Sequence, residues 1–145
     1  MGTGYPQGAK VSVVTTCYNA GPLVVHSLNS LKQQSLAEFE LVIVDDGSTD
    51  ETIKIIEGVL GDFPSSPHVK IIRSVRVGRA KALNVGIANS VAPLITILDA
   101  DDVLHPDYLK LVADYLEKNA TIAVASAKPV VWSEQLPLWG GRKTE

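Results

Sequence analysis

The chain has 145 residues, of which 46% are hydrophobic and 20% charged. A chain of this size and composition can bury a substantial core, which predicts one globular domain and argues against long disorder. The formal net charge of -3 gives no electrostatic footprint for nucleic acid or an anionic membrane. The single cysteine, Cys17, excludes an internal disulfide and a multi-cysteine metal site, and its apolar surroundings predict a small buried hydrophobe.

Nothing in the sequence indicates a membrane span or an export signal. Residues 1–9, rich in glycine, are expected to form a flexible lead-in ahead of the domain at residues 10–127. No apolar stretch approaches the length that a transmembrane segment needs, and the N-terminus lacks the regions of a signal peptide. We therefore expect a cytoplasmic protein, with peripheral attachment to the inner face of the membrane as an alternative.

Strand and helix patterns alternate along the domain. The predicted strands, rich in Val, Ile and Thr, are Lys10–Cys17, Phe39–Val44, Val69–Ile72, Pro93–Leu98 and Thr121–Ala127. The predicted helices, with apolar residues at helical spacing, are Leu23–Gln34, a segment capped by Ser48 or Thr49 and running to Leu60, Val77–Ser90, and His105–Lys118.

This alternation predicts an α/β fold with a doubly wound, mostly parallel, Rossmann-like sheet flanked by helices. In such sheets the ligand crevice lies beyond the carboxyl ends of the strands. Polar clusters follow the first, second and fourth strands at these ends, namely Tyr18–Asn19, Asp45–Asp46 and Asp99–Asp102. We expect all three clusters to open on one edge of the sheet.

The apolar run Ile95–Leu98 within the fourth predicted strand indicates a buried parallel strand that ends in three closely spaced carboxylates. Asp99, Asp101 and Asp102 carry like charges that repel unless they are compensated, and a divalent cation shared with phosphate oxygens is a common compensation. The residues thus suggest a metal and nucleotide-diphosphate site. An acidic turn, or a helix N-cap formed by Asp101 or Asp102, is the alternative.

Four motifs stand in order along the domain, namely Val11–Asn19, Leu41–Asp50, Ala82–Ile87 and Leu98–Asp102. Together they resemble the nucleotide-binding half of the family 2 glycosyltransferases, which have the GT-A fold, and the resemblance covers Lys10 to Ala127. It implies transfer of a sugar from a nucleotide-diphosphate donor, with a UDP-sugar favoured, to a carbohydrate or lipid-linked acceptor. A nucleotide-sugar-binding module that is inactive alone is the second hypothesis. A receiver domain is the third hypothesis. It is disfavoured because receiver domains carry a pair of acidic residues after the first strand, where this chain has Tyr18–Asn19.

The resemblance implies roles for the residues that follow the first two strands. Thr16, with Thr15 and Tyr18, would line the nucleoside pocket, where the Tyr18 ring offers a stacking face and the hydroxyls can bond to base or ribose. Asp46 would accept the imide proton of uracil, which cytosine lacks. Asp45 is the weaker candidate, and orientation of the Gly47–Ser48 turn is its alternative role.

The resemblance also implies a Mg²⁺ or Mn²⁺ cofactor at the fourth strand. Asp101 would be the principal metal carboxylate and Asp99 its partner toward ribose or metal, while Asp102 is expected to cap the following helix. Arg79 and Lys81 would reach the diphosphate, with Arg76 as an alternative. Many relatives carry Arg where this chain has Leu83, which leaves the phosphate-contacting cation open, and a solvated helix face is the alternative for both cations.

Nothing after Ala127 supplies a recognisable general base, so the catalytic residue is unassigned. Residues 128–145 are expected to be a tail, with the start of a truncated acceptor half as the alternative. We expect self-association through its exposed apolar side chains, which are Val130, Val131, Trp132, Leu136, Leu138 and Trp139.

Overall fold

The computed structural model describes residues 8–63 and 68–125. Four strands alternate with four helices in this part of the chain, in the order β1 (Val11–Cys17), α1 (Leu23–Lys32), β2 (Phe39–Asp45), α2 (Thr52–Gly61), β3 (His68–Arg73), α3 (Arg79–Ala88), β4 (Leu94–Ile97) and α4 (Tyr108–Lys118). The predicted lead-in, apart from residues 8 and 9, and the predicted tail with its self-association lie outside the described residues. Within the described ranges no helix is both long and apolar enough to cross a membrane.

The strands form a parallel sheet in the order β3-β2-β1-β4. Val11 is in register with Phe39 of β2 on one side and with Leu94 of β4 on the other. The chain thus winds outward from β1 to β3 and then crosses back over the sheet to β4. The predicted doubly wound parallel sheet is confirmed, and its topological switch point lies between β1 and β4.

The helices cover both faces of the sheet, so the core has two layers. On one face, Leu28 and Leu31 of α1, Ile56 of α2 and Leu109 of α4 are fully buried in one cluster with inward-facing strand residues. On the other face α3 packs Ala82 against Val14, Val42 and Val44. Burying each such Leu or Ile stabilises the fold by roughly 1.5–3 kcal/mol, so packing of both faces fixes the sheet.

Helix α3 approaches the sheet closely at Gly86. A Cβ at this position would overlap Cγ1 of Val14 and would lie 3.3 Å from Cγ2 of Val44. The absence of a side chain therefore sets the distance between α3 and β1, and with it the placement of the helix that carries Arg79.

A buried polar network fixes the other end of the sheet. Glu40 is 1% exposed, and its carboxylate accepts hydrogen bonds from the Ser12 hydroxyl and from the backbone N–H of Val91 at 2.5 Å. The Ala92 N–H donates to Ser12 Oγ at 3.0 Å. Sequence reasoning missed this network, which ties the entry of β4 to the amino ends of β1 and β2.

Two predictions about β4 and the strand after it were wrong. Ile95 and Ile97 are 45% and 47% exposed, because β4 pairs with β1 alone among the described strands and α3 lies over β1 and β2. The predicted fifth strand is also absent where it can be checked, since residues 121–125 pair with no strand and the rest of that prediction lies outside the described residues.

The predicted helix caps were wrong as well. Helix α2 begins at Thr52, whose N–H donates to Asp50 Oδ1 at 3.0 Å, so neither Ser48 nor Thr49 caps it. Helix α4 begins at Tyr108, beyond the turn at Pro106, and this places Asp102 too far away to cap it.

Candidate functional site

A cleft of about 450 Å³ opens at the carboxyl ends of β1, β2 and β4. The three polar clusters of the sequence meet there, as predicted. The lining residues are Thr16, Cys17, Tyr18, Asn19, Ala20, Leu23, Asp46, Arg76, Arg79, Asp99, Ala100 and Asp101. Of the predicted site residues, the cleft brings together Thr16, Tyr18, Asp46, Arg79, Asp99 and Asp101, and leaves out Thr15 and Lys81.

Thr15 and Lys81 are excluded for reasons of local geometry. Thr15 is fully buried within the sheet, whereas Thr16 and Cys17, at the carboxyl end of β1, reach the cleft. The Thr15 hydroxyl has no hydrogen-bond partner among the described residues. Lys81 lies two positions after Arg79 on α3, which places it on the far side of the helix. It is exposed to solvent, in agreement with the alternative interpretation of a solvated helix face.

The loop after β1 carries Tyr18, which is 41% exposed. The guanidinium carbon of Arg76 lies 3.2 Å from the centroid of the Tyr18 ring. One face of the predicted stacking platform is therefore covered by a cation from the loop that precedes α3.

Asn19 joins the loop after β1 to the loop after β2. Its backbone N–H donates to Ser48 Oγ at 2.9 Å, and its Oδ1 accepts from the N–H of Thr49 at 2.8 Å. Asn19 has a positive φ of 47°, a conformation that Asn tolerates better than most residues. Sequence reasoning assigned it no role, although an Asn in a turn after a strand could have signalled one.

Asp45 takes the alternative role foreseen for it. It is 5% exposed, and its Oδ1 accepts from the Ser48 N–H at 3.2 Å, which orients the turn after β2. Burial, and then the Asp45 carboxylate, raises the pKa of the Cys17 thiol to about 12. The thiol therefore stays protonated at neutral pH, which agrees with a structural Cys17 and argues against a nucleophile.

Asp46 is 3% exposed, and both of its carboxylate oxygens are hydrogen-bonded within the protein. Oδ1 accepts from the Val77 N–H at 2.6 Å, and Oδ2 accepts from the Gly78 N–H at 2.9 Å. These donors belong to the loop between β3 and α3. The predicted contact of Asp46 with a uracil imide stays a prediction.

Asp99 forms an ion pair with Arg79 across the cleft. Nη2 of Arg79 lies 2.5 Å from Oδ1 and 2.8 Å from Oδ2 of Asp99. The side chains are 63% and 37% exposed, so solvent screens the pair and it is worth roughly 0.2–1 kcal/mol. The first residue of α3 is thereby linked to the acidic turn after β4.

The acidic turn has the donor chemistry for a divalent cation. Asp99 and Asp101 both line the cleft, and partial burial followed by the charges of Asp101 and Asp99 raises the pKa of Asp102. No group of three or more His, Cys, Asp or Glu residues within residues 8–63 and 68–125 could hold a metal unaided. Two carboxylates completed by phosphate oxygens are typical of Mg²⁺ sites, so the residues fit a cation that binds together with a nucleotide.

Known proteins resemble this chain over most of its length. It matches the family model for glycosyl transferase family 2 over residues 12–140. An uncharacterized glycosyltransferase of Nostoc sp. is 31% identical over 115 residues, which covers 79% of this chain and 35% of that protein.

Solved structures share the arrangement of strands and helices. A structure of S. aureus TarS in complex with UDP-GlcNAc has a TM-score of 0.69 at 30% identity, over 77% of this chain and 32% of that one. The mannosyltransferase PcManGT from Pyrobaculum calidifontis, in complex with GDP-Man and Mn²⁺, has a TM-score of 0.69 at 27% identity, over 74% and 32%. The chain thus spans about a third of the length of these relatives. It has the GT-A fold and belongs to glycosyltransferase family 2, as the four sequence motifs indicated.

Proposed function

We propose that the chain binds a nucleotide-sugar donor, with a UDP-sugar favoured, for metal-dependent transfer of the sugar to a carbohydrate or lipid-linked acceptor. The observation that carries this proposal is the meeting of an exposed aromatic ring, two arginines and two carboxylates in one cleft at the switch point of the sheet. The UDP-GlcNAc held by TarS and the GDP-Man with Mn²⁺ held by PcManGT support it.

The residues of the cleft divide by the part of the donor that they suit. Tyr18 and Thr16 offer a ring face and a hydroxyl to the nucleoside. Arg76 and Arg79 offer planar guanidinium groups to the diphosphate, whose charge they would partly neutralise. Both arginines are held at the cleft by partners, Tyr18 and Asp99 respectively, so each is placed before a donor arrives.

Asp99 and Asp101 would hold Mg²⁺ or Mn²⁺ at the acidic turn. When bound, such an ion supplies Lewis-acid stabilisation of the departing nucleoside diphosphate. Asp99 and Asp101 would fix the position of the ion. Arg79, the ion-pair partner of Asp99, would offset part of the negative charge of the leaving group.

Sugar transfer also requires a base that removes the proton of the acceptor hydroxyl as its oxygen bonds to the anomeric carbon. The acids that line the described cleft are Asp46, Asp99 and Asp101, and all three have partners or proposed roles. We propose that the general base and the acceptor site are provided by sequence beyond residues 8–125, since the matched part of the chain covers only about a third of each relative.

The same observation favours a second candidate function, a donor-binding module that is inactive on its own. Calorimetry with UDP and with UDP-sugars, each with and without Mn²⁺, followed by an assay for donor hydrolysis, separates the two. We expect Mn²⁺-dependent binding of UDP. Turnover of the donor selects the transferase, binding without turnover selects the module, and absence of UDP binding in the presence of Mn²⁺ overturns the proposal.

A further inference from the structure

Asp46 lies at the end of β2 and reaches across to another part of the sheet edge. Its backbone N–H donates to Cys17 O at 2.8 Å, which fixes its main chain beside the end of β1. Its side chain spans to the loop of residues 74–78, which connects β3 to α3. The carboxylate is nearly inaccessible at 3% exposure, and each oxygen already accepts a backbone hydrogen bond.

The loop of residues 74–78 needs such support at its end. It begins with the Ser74 N–H donating to Asp45 O at 2.9 Å, and it passes so close to Gly47 that a Cβ there would lie 2.9 Å from Arg76 N. It ends at Gly78, whose φ of 92° and ψ of 151° are essentially restricted to glycine. The N-cap residue Gly78 has no side chain that could cap α3, and the Asp46 carboxylate accepts from the two backbone N–H groups just before the helix.

The segment that Asp46 holds carries both arginines of the cleft. Arg76 precedes the two amides that Asp46 accepts from, and Arg79 follows them directly. A negative charge at the start of α3 also interacts favourably with the helix dipole. The Asp46 carboxylate thus fixes the backbone between the two arginines. Arg76 lies over the Tyr18 ring, and Arg79 forms an ion pair with Asp99.

We propose that Asp46 is a positioning residue that orders the arginine-bearing entry to α3 for the diphosphate of the donor. This inference rests on the proposed nucleotide site. It gives Asp46 a role that does not depend on which nucleobase the donor carries. A residue that reads uracil affects uridine nucleotides selectively, whereas a residue that positions the arginines affects every nucleoside diphosphate alike.

The test is an Asp46→Asn variant titrated with UDP, CDP and inorganic pyrophosphate in the presence of Mg²⁺. Asn keeps one acceptor but turns an NH₂ group toward a backbone N–H. We expect the affinities for all three probes to fall by a similar factor of about ten, the order expected for one lost hydrogen bond to a charged group, with the ratio of UDP to CDP affinity unchanged. Amide hydrogen exchange at Val77 and Gly78 should become faster.

Two further variants keep the test decisive. Asp62→Asn makes the same charge change at an exposed position outside the cleft and should leave all affinities and both amides unaffected. Gly78→Ala leaves Asp46 intact but imposes backbone strain at a position with open space for the Cβ. It should lower the affinity for the three probes in the same uniform way, and it carries the binding test if Asp46→Asn does not fold.

The inference would be overturned if Asp46→Asn lost affinity for UDP alone, with its pyrophosphate affinity and amide exchange unchanged. That result would indicate that Asp46 recognises the uracil base. If the parent chain binds no nucleotide, the proposed function fails instead, and the exchange rates of Val77 and Gly78 still decide whether Asp46 orders the loop.

Discussion

Both arginines of the cleft already have partners when no donor is present. Arg76 lies over the Tyr18 ring, an interaction worth roughly 0.5–1 kcal/mol at an exposed site, and Arg79 pairs with Asp99 at similarly small cost to break. In the proposed site, the diphosphate would offer each arginine a stronger, charge-assisted partner. The interactions at this scale therefore place the side chains without preventing them from exchanging partners.

Asp101 is exposed in the cleft and, unlike Asp99, forms no ion pair with another described residue. If it is the principal metal ligand, Asp101→Ala should remove the increase in UDP affinity that Mn²⁺ produces, a loss of about tenfold or more, equal to about 1.4 kcal/mol. Calorimetry with UDP at fixed Mn²⁺ measures this. Asp107→Ala removes an exposed acid outside the cleft and serves as the control. Equal Mn²⁺ dependence in Asp101→Ala and the parent chain would show that the assignment is wrong.

At the scale of elements, α2 and α3 are each fixed by contacts at particular positions. Helix α2 starts where Asp50 accepts from the backbone and hydroxyl of Thr52, and the Thr52 hydroxyl in turn accepts from the Gly21 N–H at 2.9 Å. Helix α3 is set against the sheet by the missing side chain at Gly86. Both devices lie next to loops that form the cleft.

The start of α2 makes part of the stability pH-dependent. The hydrogen bond from the Thr52 hydroxyl, and then that from its N–H, lowers the pKa of Asp50 below its ordinary value. A depressed pKa in the folded state contributes stability that is present above the unfolded-state pKa of about 3.9 and is lost as the pH falls through the folded-state pKa. We therefore expect Asp50→Asn to lower the urea midpoint at pH 7 and to lower it less near pH 3.

The comparison of urea midpoints at the two pH values decides this point. Thr52→Ala removes the largest cause of the depressed pKa, and in that background Asp50→Asn should show a weaker pH dependence. A difference between parent and variant that is the same at both pH values would contradict the explanation.

Gly86→Ala tests the contact between α3 and β1. An added methyl group overlaps Val14, and overpacking of this kind costs about 1–3 kcal/mol. Gly58→Ala in α2 is the matched control, because a Cβ there meets nothing within 4 Å. Its higher helix propensity should stabilise the fold by up to about 1 kcal/mol. Denaturant unfolding of both variants should therefore give changes of opposite sign, and a stabilised Gly86→Ala would refute the close approach.

At the scale of the whole molecule, most of the fold could be predicted from the sequence because the apolar runs end at turn-forming or charged residues. β1 ends before Tyr18–Asn19 and β2 before Asp46–Gly47, and the observed strands agree with the predicted ones to within one residue. The exposure of Ile95 and Ile97 was not readable, because a run with apolar residues on both faces looks the same in the middle of a sheet and at its border.

The site was readable in its residue types and less so in its contacts. Of the eight site residues that the resemblance named, six line the cleft, whereas Thr15 and Lys81 do not. The resemblance could not reveal that Asp46 bonds to amides 31 and 32 positions away, or that Thr15 and Thr16 separate onto opposite faces. Such details depend on the packing of loops that are distant in sequence.

The Arg79–Asp99 ion pair has a consequence for the order in which ligands add. At the proposed metal site, a divalent cation that arrives alone would compete with the Arg79 guanidinium for Asp99. A cation already chelated by a nucleotide would bring a diphosphate that Arg79 can take in exchange. Binding would then break one charge pair, between Arg79 and Asp99, and form two, between Arg79 and the diphosphate and between Asp99 and the cation. In kinetic terms, we expect the metal–nucleotide complex to be the species that enters the cleft.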